Sequence, residues 1–140
     1  MRDWNDWNNW NKTMIAEFRA KGGKGVARFG DRLLLVTVTG RKSGSPTVVP
    51  LAYHVDGDRY VVAASKGGAP THPDWYQNLV AHPDVTVEVG TERFRARAKP
   101  IPGGPERDRL YAEHARLMPG SRDYETKTTR TIPVVVLERV

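Results

Sequence analysis

Val61-Val62-Ala63-Ala64-Ser65-Lys66-Gly67-Gly68-Ala69-Pro70-Thr71-His72-Pro73-Asp74-Trp75-Tyr76-Gln77-Asn78-Leu79 carries the chain from an apolar strand, through a loop of small residues, into a helix that opens at Pro73. Two adjacent glycines let the backbone take positive φ and approach a ligand closely. Ser65 brings a hydroxyl and Lys66 a positive charge, and successive N–H groups in such a turn form an anion-binding nest. Trp75 and Asn78 are three apart and share a helix face. An aromatic plane, an amide and a cation together suit a flat, polar, anionic ligand. The same residues also describe a plain strand-to-helix connection with Trp75 in the core, and this stretch alone leaves both readings open.

Working outward, the strand at 59–64 is the return arm of a hairpin whose turn signal is Asp56-Gly57-Asp58. The other arm covers 47–55, where Pro50 points to an edge or a bulge. Before it, 32–39 reads as a strand apolar on both faces at its start, joined by the tight connection Gly40-Arg41-Lys42-Ser43-Gly44-Ser45. Towards the C-terminus, His82-Pro83 breaks the helix at 73–81. A clean alternation over 85–89 turns at Gly90-Thr91 and returns over 92–99. A turn-rich loop (100–105), a charged helix (106–117), a polar loop (119–130) and a last strand (132–137) follow. The pattern predicts a mainly β, α+β domain: about six antiparallel strands in a barrel or sheet, with three helices packed outside.

The N-terminal residues 1–11 read as an extension holding Trp4, Trp7 and Trp10 on one drifting helical face. Asn11 then caps an amphipathic helix over 12–21 that Gly22-Gly23 ends, and 12–140 forms a single domain. The tryptophan face is expected to dock on its own domain; closure over a pocket and peripheral membrane contact are the alternatives.

Composition narrows the chemistry. No cysteine occurs, which excludes disulfides, thiolate metal sites and cysteine nucleophiles. The four histidines share no metal-ligand spacing, so no metal is expected. No Gly-x-Ser-x-Gly elbow is present for a serine hydrolase. No apolar run approaches ~18 residues, and the N-terminus lacks the apolar stretch of a signal peptide, so a cytoplasmic protein is expected. The net charge of +6 favours an acidic partner. The basic residues are scattered and no nucleic-acid motif occurs, which favours a small polyanion over nucleic acid. The charged helix at 106–116 reads as a solvated face.

Arg41-Lys42, the one basic pair set beside glycines, repeats the character of Ser65-Lys66-Gly67-Gly68. Gly40-Arg41-Lys42-Ser43-Gly44 has phosphate-binding chemistry without the order of a Walker loop, and equally suits a solvent-facing turn. Held at one end of a barrel, the two turns would grip two parts of one anion.

Four blocks carry a resemblance. Thr39-Gly40-Arg41-Lys42-Ser43-Gly44, then Thr47-Val48-Val49-Pro50-Leu51, then the run from Ala63 to Asn78, then Lys127-Thr128-Thr129-Arg130-Thr131-Ile132-Pro133-Val134 resemble the deazaflavin-dependent nitroreductase family. The resemblance covers roughly residues 12–140 in consistent order. It implies a flavin-reductase-like split β-barrel and coenzyme F420, a 5-deazaflavin with a phosphate and an oligoglutamate tail. It further implies that Arg41, Lys42 and Ser43 contact the phosphate and that Thr47, Val48, Val49, Pro50 and Leu51 line the channel. Ala63, Ala64, Ser65, Lys66 and Gly67 would lie along the ring, and Trp75, Tyr76 and Asn78 would close the site. A basic chain agrees with a polyanionic cofactor, and arginine reads phosphate bidentately.

Such a cofactor carries the hydride chemistry, so the protein is left to hold ring and acceptor together and to stabilise charge on the acceptor. Ser65 is the first candidate donor to the acceptor, and Tyr124 the candidate proton donor or substrate contact. Nitroimidazole-reducing members carry several tyrosines where this chain has Met118, Ser121 and Tyr124, so quinone or enone reduction is the broader expectation. The rivals are an FMN-dependent reductase on the same barrel and a binding protein for F420, a tetrapyrrole or a fatty acid without turnover. The expected partner is a small-molecule substrate, with the protein a monomer or homodimer.

Overall fold

The structure, a computed structural model, describes the backbone of residues 4–140 and the side chains of 9–140 other than those at 28 and 67. Seven strands form one sheet: β1 (Leu33–Thr39), β2 (Pro46–Ala52), β3 (His54–Asp56), β4 (Arg59–Ala63), β5 (Asp84–Val89), β6 (Glu92–Ile101) and β7 (Val134–Arg139). Their order is β2-β1-β5-β6-β7-β4-β3, and every pairing is antiparallel. β2 and β3 lie at opposite edges yet are consecutive in the chain. The sheet therefore curls until its edges meet at Tyr53, whose N–H turns back to the carbonyl of Arg32 at 2.9 Å. The single strand expected over 47–55 is thus one bent strand that serves both edges of a split barrel. Pro50 stands in β2, where an edge strand tolerates the missing donor.

Both predicted two-residue turns form. Asp56 pairs with Arg59 across a turn in which Gly57 takes φ 65°, and Val89 pairs with Glu92 across Gly90-Thr91. Barrel closure explains why β1 and β7 are apolar on both faces. Leu34, Val36, Val38, Val135 and Leu137 fill the barrel interior with Val62, Val87 and Ala98. Leu33 and Leu35 face outward under α1 (Trp4–Lys21), against Met14 and Phe18. Val134 and Val136 face outward under α3 (Pro105–Leu117), against Leu110 and Tyr111. Burying an aliphatic side chain contributes ~1.5–3 kcal/mol, so these strands hold two cores at once. α2 (Asp74–Ala81) packs Tyr76 and Leu79 onto the interior cluster.

Several expectations are corrected. α1 begins at Trp4 and runs through Asn11, which is therefore not its cap. Trp10 packs edge-on against Phe29 at 6.2 Å, beside the α1 core, so that part of the tryptophan face docks on its own domain. The side chains of Trp4 and Trp7 lie outside the described residues. A fourth helix, α4 (Gly120–Thr126), occupies the expected polar loop. The 106–116 face is not wholly solvated: Arg107 is 6% exposed, donates from Nε to the carbonyl of Ile132 at 2.8 Å and stacks on Tyr111. His114, on the same helix, is also buried. Among the described residues no helix is long and apolar enough to cross a membrane.

Candidate active site

The 40–45 turn closes on itself. The Gly40 N–H donates to the carbonyl of Ser45 at 2.8 Å and the Gly44 N–H to that of Gly40 at 2.9 Å. Asn78 of α2 then fastens it, its Oδ1 accepting both the Arg41 backbone N–H at 3.1 Å and Arg41 Nη1 at 2.7 Å. Arg41 Nη2 reaches towards Asp74 Oδ1 at 3.5 Å. Because α2 is the direct continuation of the 64–73 segment, this one amide joins the basic turn to the small-residue loop. Arg41 thereby meets α2, at Asp74 and Asn78, while the 65–68 loop meets Arg130 and α4. Lys42 and Ser43 remain exposed on the turn.

The 64–73 segment folds as a short turn. Gly68 donates to the carbonyl of Ser65 at 2.9 Å and Ala69 to that of Lys66 at 3.1 Å. Lys66 sits at φ 47°, a left-handed conformation uncommon for a residue with a side chain. Its Nζ donates to Thr71 Oγ1 at 3.2 Å. Gly68, at φ 83°, lies so close to α4 that a Cβ there would stand 2.8 Å from both Lys127 Cβ and the carbonyl of Tyr124. Only glycine permits that approach, and it brings Tyr124 and Lys127 to the edge of the loop.

Other predicted residues divide. β2 alternates, so its five candidates do not share one face. Val49 and Leu51 pack on the barrel interior, whereas Val48 packs against the α1 core. Ala64 is fully buried in the interior, its N–H given to the carbonyl of Pro133 at 2.9 Å; Ala63 faces the cluster under α3. Tyr76 is a core residue, and burial pushes its phenol pKa up. Half-buried Trp75 packs against the same core, edge-on to Tyr76 at 6.3 Å. The Tyr124 ring is half-buried against the α3 cluster, with Lys127 Nζ 5.8 Å from its centroid.

Arg130 was not singled out by the sequence, although it lies in a resembling block. Its guanidinium donates to the carbonyls of Ala64, Ser65 and Ala69 and to His72 Nδ1. Backbone carbonyls carry no residue-type signature, which is why no spacing rule points to such a role. His72 has a pKa lowered first by burial and then by Arg130.

The donor set suits an anionic, partly planar cofactor. Lys66 and Lys127 are exposed cations at the 64–73 loop and Lys42 is exposed on the 40–45 turn, and Ser43 and Ser65 add hydroxyls. Among the described residues no three metal-ligating side chains are grouped.

The fold is a split barrel with a basic turn held against α2. The family model for F420H(2)-dependent quinone reductase matches residues 10–139. An F420H(2)-dependent quinone reductase of Mycobacterium tuberculosis strain H37Rv is 44% identical over 120 residues, covering 80% of each chain. A solved F420-H2 dependent reductase is 38% identical, with a TM-score of 0.70 over 76% of this chain and 94% of that one. Another solved structure, described as a domain-swapped dimer, is 35% identical with a TM-score of 0.72, covering 97% and 100%. The chain belongs to the F420H(2)-dependent quinone reductase family. Membership makes it an oxidoreductase whose cofactor is coenzyme F420; nitroreductase is the looser name of the resemblance.

Proposed function

We propose that this chain reduces a quinone with F420H2, gripping the cofactor's anionic side with the 41–43 turn and its ring along 65–68. The observation that supports this reading is Asn78, whose single oxygen holds Arg41 against α2, the helix that continues the chain from the Ser65 loop. When bound, reduced F420 supplies a hydride, and a proton has to reach the acceptor as well.

The protein's own contribution is grip and charge. Arg41 arrives pre-oriented, so little side-chain freedom remains to be lost on binding a phosphate. Lys42 and Ser43 extend from the same turn as further donors. Val49, Leu51 and Trp75 offer apolar surface at the barrel. Ser65 is half-buried beside Lys66, and its hydroxyl serves as donor to the oxygen that gains charge. Tyr124 is the second candidate donor; its packing against the α3 cluster ranks it behind Ser65. Enones and nitroaromatics are further acceptors within this proposal.

Fluorescence titration with F420 beside FMN, followed by quinone-dependent oxidation of F420H2, tests it. Salt-sensitive F420 binding, no FMN binding and turnover with quinone are expected. In the same assay Ser65→Ala lowers turnover more than F420 affinity. Absence of F420 binding overturns the reading, and binding without turnover leaves a carrier protein.

A further inference from the structure

Arg130 lies beneath the segment that carries Ser65 and Lys66. Its Nε donates to the carbonyl of Ala69 at 2.9 Å, and Nη2 to those of Ser65 at 2.8 Å and Ala64 at 3.3 Å. Nη1 reaches the carbonyl of Ala64 at 3.3 Å and His72 Nδ1 at 3.0 Å. Acceptors spread over 64–72 are thus gathered on one planar cation, and no carboxylate is among them. Burial lowers the pKa of Arg130, and Tyr111 acts in the opposite direction.

Two consequences follow. Apart from Lys66, Thr71 and His72, the loop is built of alanine, serine, glycine and proline and has few side chains with which to hold its own shape. A rigid guanidinium fork supplies that restraint, holding the carbonyls of Ser65 and Ala69 on either side of Lys66. The second consequence concerns His72. Arginine only donates, so Nδ1 of His72 accepts and the imidazole proton sits on Nε2. Protonating His72 would put two cations within hydrogen-bond distance.

The other groups around His72 do not offset this. Tyr76 of α2 meets the ring at 5.1 Å as a neutral phenol. Gln77 donates to the His72 carbonyl at 3.3 Å, Lys66 is a further cation bound to the neighbouring Thr71, and Asp74 is engaged with Arg41.

We propose that Arg130 is a positioning residue for the reductase: it fixes the loop that presents Ser65 and holds His72 as a neutral Nε2–H donor. The catalytic half rests on the function proposed above; the tautomer of His72 is read without any cofactor.

Histidine nitrogen NMR of the wild type, Arg130→Gln and Arg130→Lys, run beside F420 affinity, kcat and KM, tests it. In the wild type, His72 is the Nε2–H tautomer and stays neutral below the ordinary histidine pKa of about 6.5. Arg130→Gln returns His72 towards that value and lowers kcat by ~10-fold or more, with a smaller change in F420 affinity. Arg130→Lys keeps the charge, leaves His72 depressed and still loses turnover, because the fork is gone.

A wild-type His72 that titrates normally or carries its proton on Nδ1 overturns the proposal, even where the glutamine variant fails to fold. So does a folded Arg130→Gln with unchanged kcat. Failure of the wild type to bind F420 removes the catalytic half alone, and the NMR result still decides the tautomer.

Discussion

Lowering the pH should destabilise this protein through one buried pair. His54 of β3 and His114 of α3 are 2% and 4% exposed, with their Nδ1 atoms 2.9 Å apart. One Nδ1 must donate and the other accept, so the accepting ring is neutral, and burial disfavours charge on both. Among the described residues His54 Nε2 is buried without a partner, which gives a proton arriving there nothing to bond to. Burial, and then His54, push the pKa of His114 down to about 3. Burial lowers His54 as well, although Glu113 and Asp56 pull the other way. The unfolded chain therefore takes up protons first as pH falls. Stability is greatest above the unfolded value of about 6.5 and is lost progressively from there down to the folded value. For a single group shifted from about 6.5 to about 3, the loss between about pH 7 and about pH 5 is about 2 kcal/mol. Urea unfolding of the wild type and His114→Asn at both pH values measures it, since carboxylates titrating in both proteins cancel. The wild type should lose about 2 kcal/mol more than the variant over this interval. Equal losses would show that the pair is hydrated or already protonated in the folded state, and would refute the argument.

Arg41→Ala should weaken F420 binding by ~1.5–3 kcal/mol, the range for hydrogen bonds to charged groups. Asn78→Ala should weaken it through Arg41, so a double-mutant cycle shows coupling of ~0.5–3 kcal/mol; strictly additive losses would separate the two residues. Gly68→Ala combines left-handed strain with a Cβ 2.8 Å from Lys127 and Tyr124 atoms. It should cost ~1–3 kcal/mol of stability, and an unchanged thermal midpoint would show that α4 does not pack against the loop.

Local signals set much of this protein. Alternation over 85–89, the turns at Gly57 and Gly90-Thr91, and Pro50 on an edge all depend on neighbours a few residues apart, and each stands where the pattern placed it. The cofactor was also legible, through the resemblance of four sequence blocks to a deazaflavin-dependent family, which the family model over residues 10–139 bears out. Other features were not. α4 buries Ser121 and part of Tyr124 and no apolar stripe, so its seven residues have no helical period to read. Tyr53 bends the strand because both edges of the sheet must meet there, which only barrel closure requires. Tertiary structure alone decided that Asn78 grips the Arg41 turn, that Arg130 gathers the carbonyls of 64–69, and that His54 meets His114 across 60 residues of chain. Those contacts join groups far apart in sequence, several of them backbone atoms common to every residue. Which of them meet is set by how strands and helices pack, and no spacing along the chain encodes it.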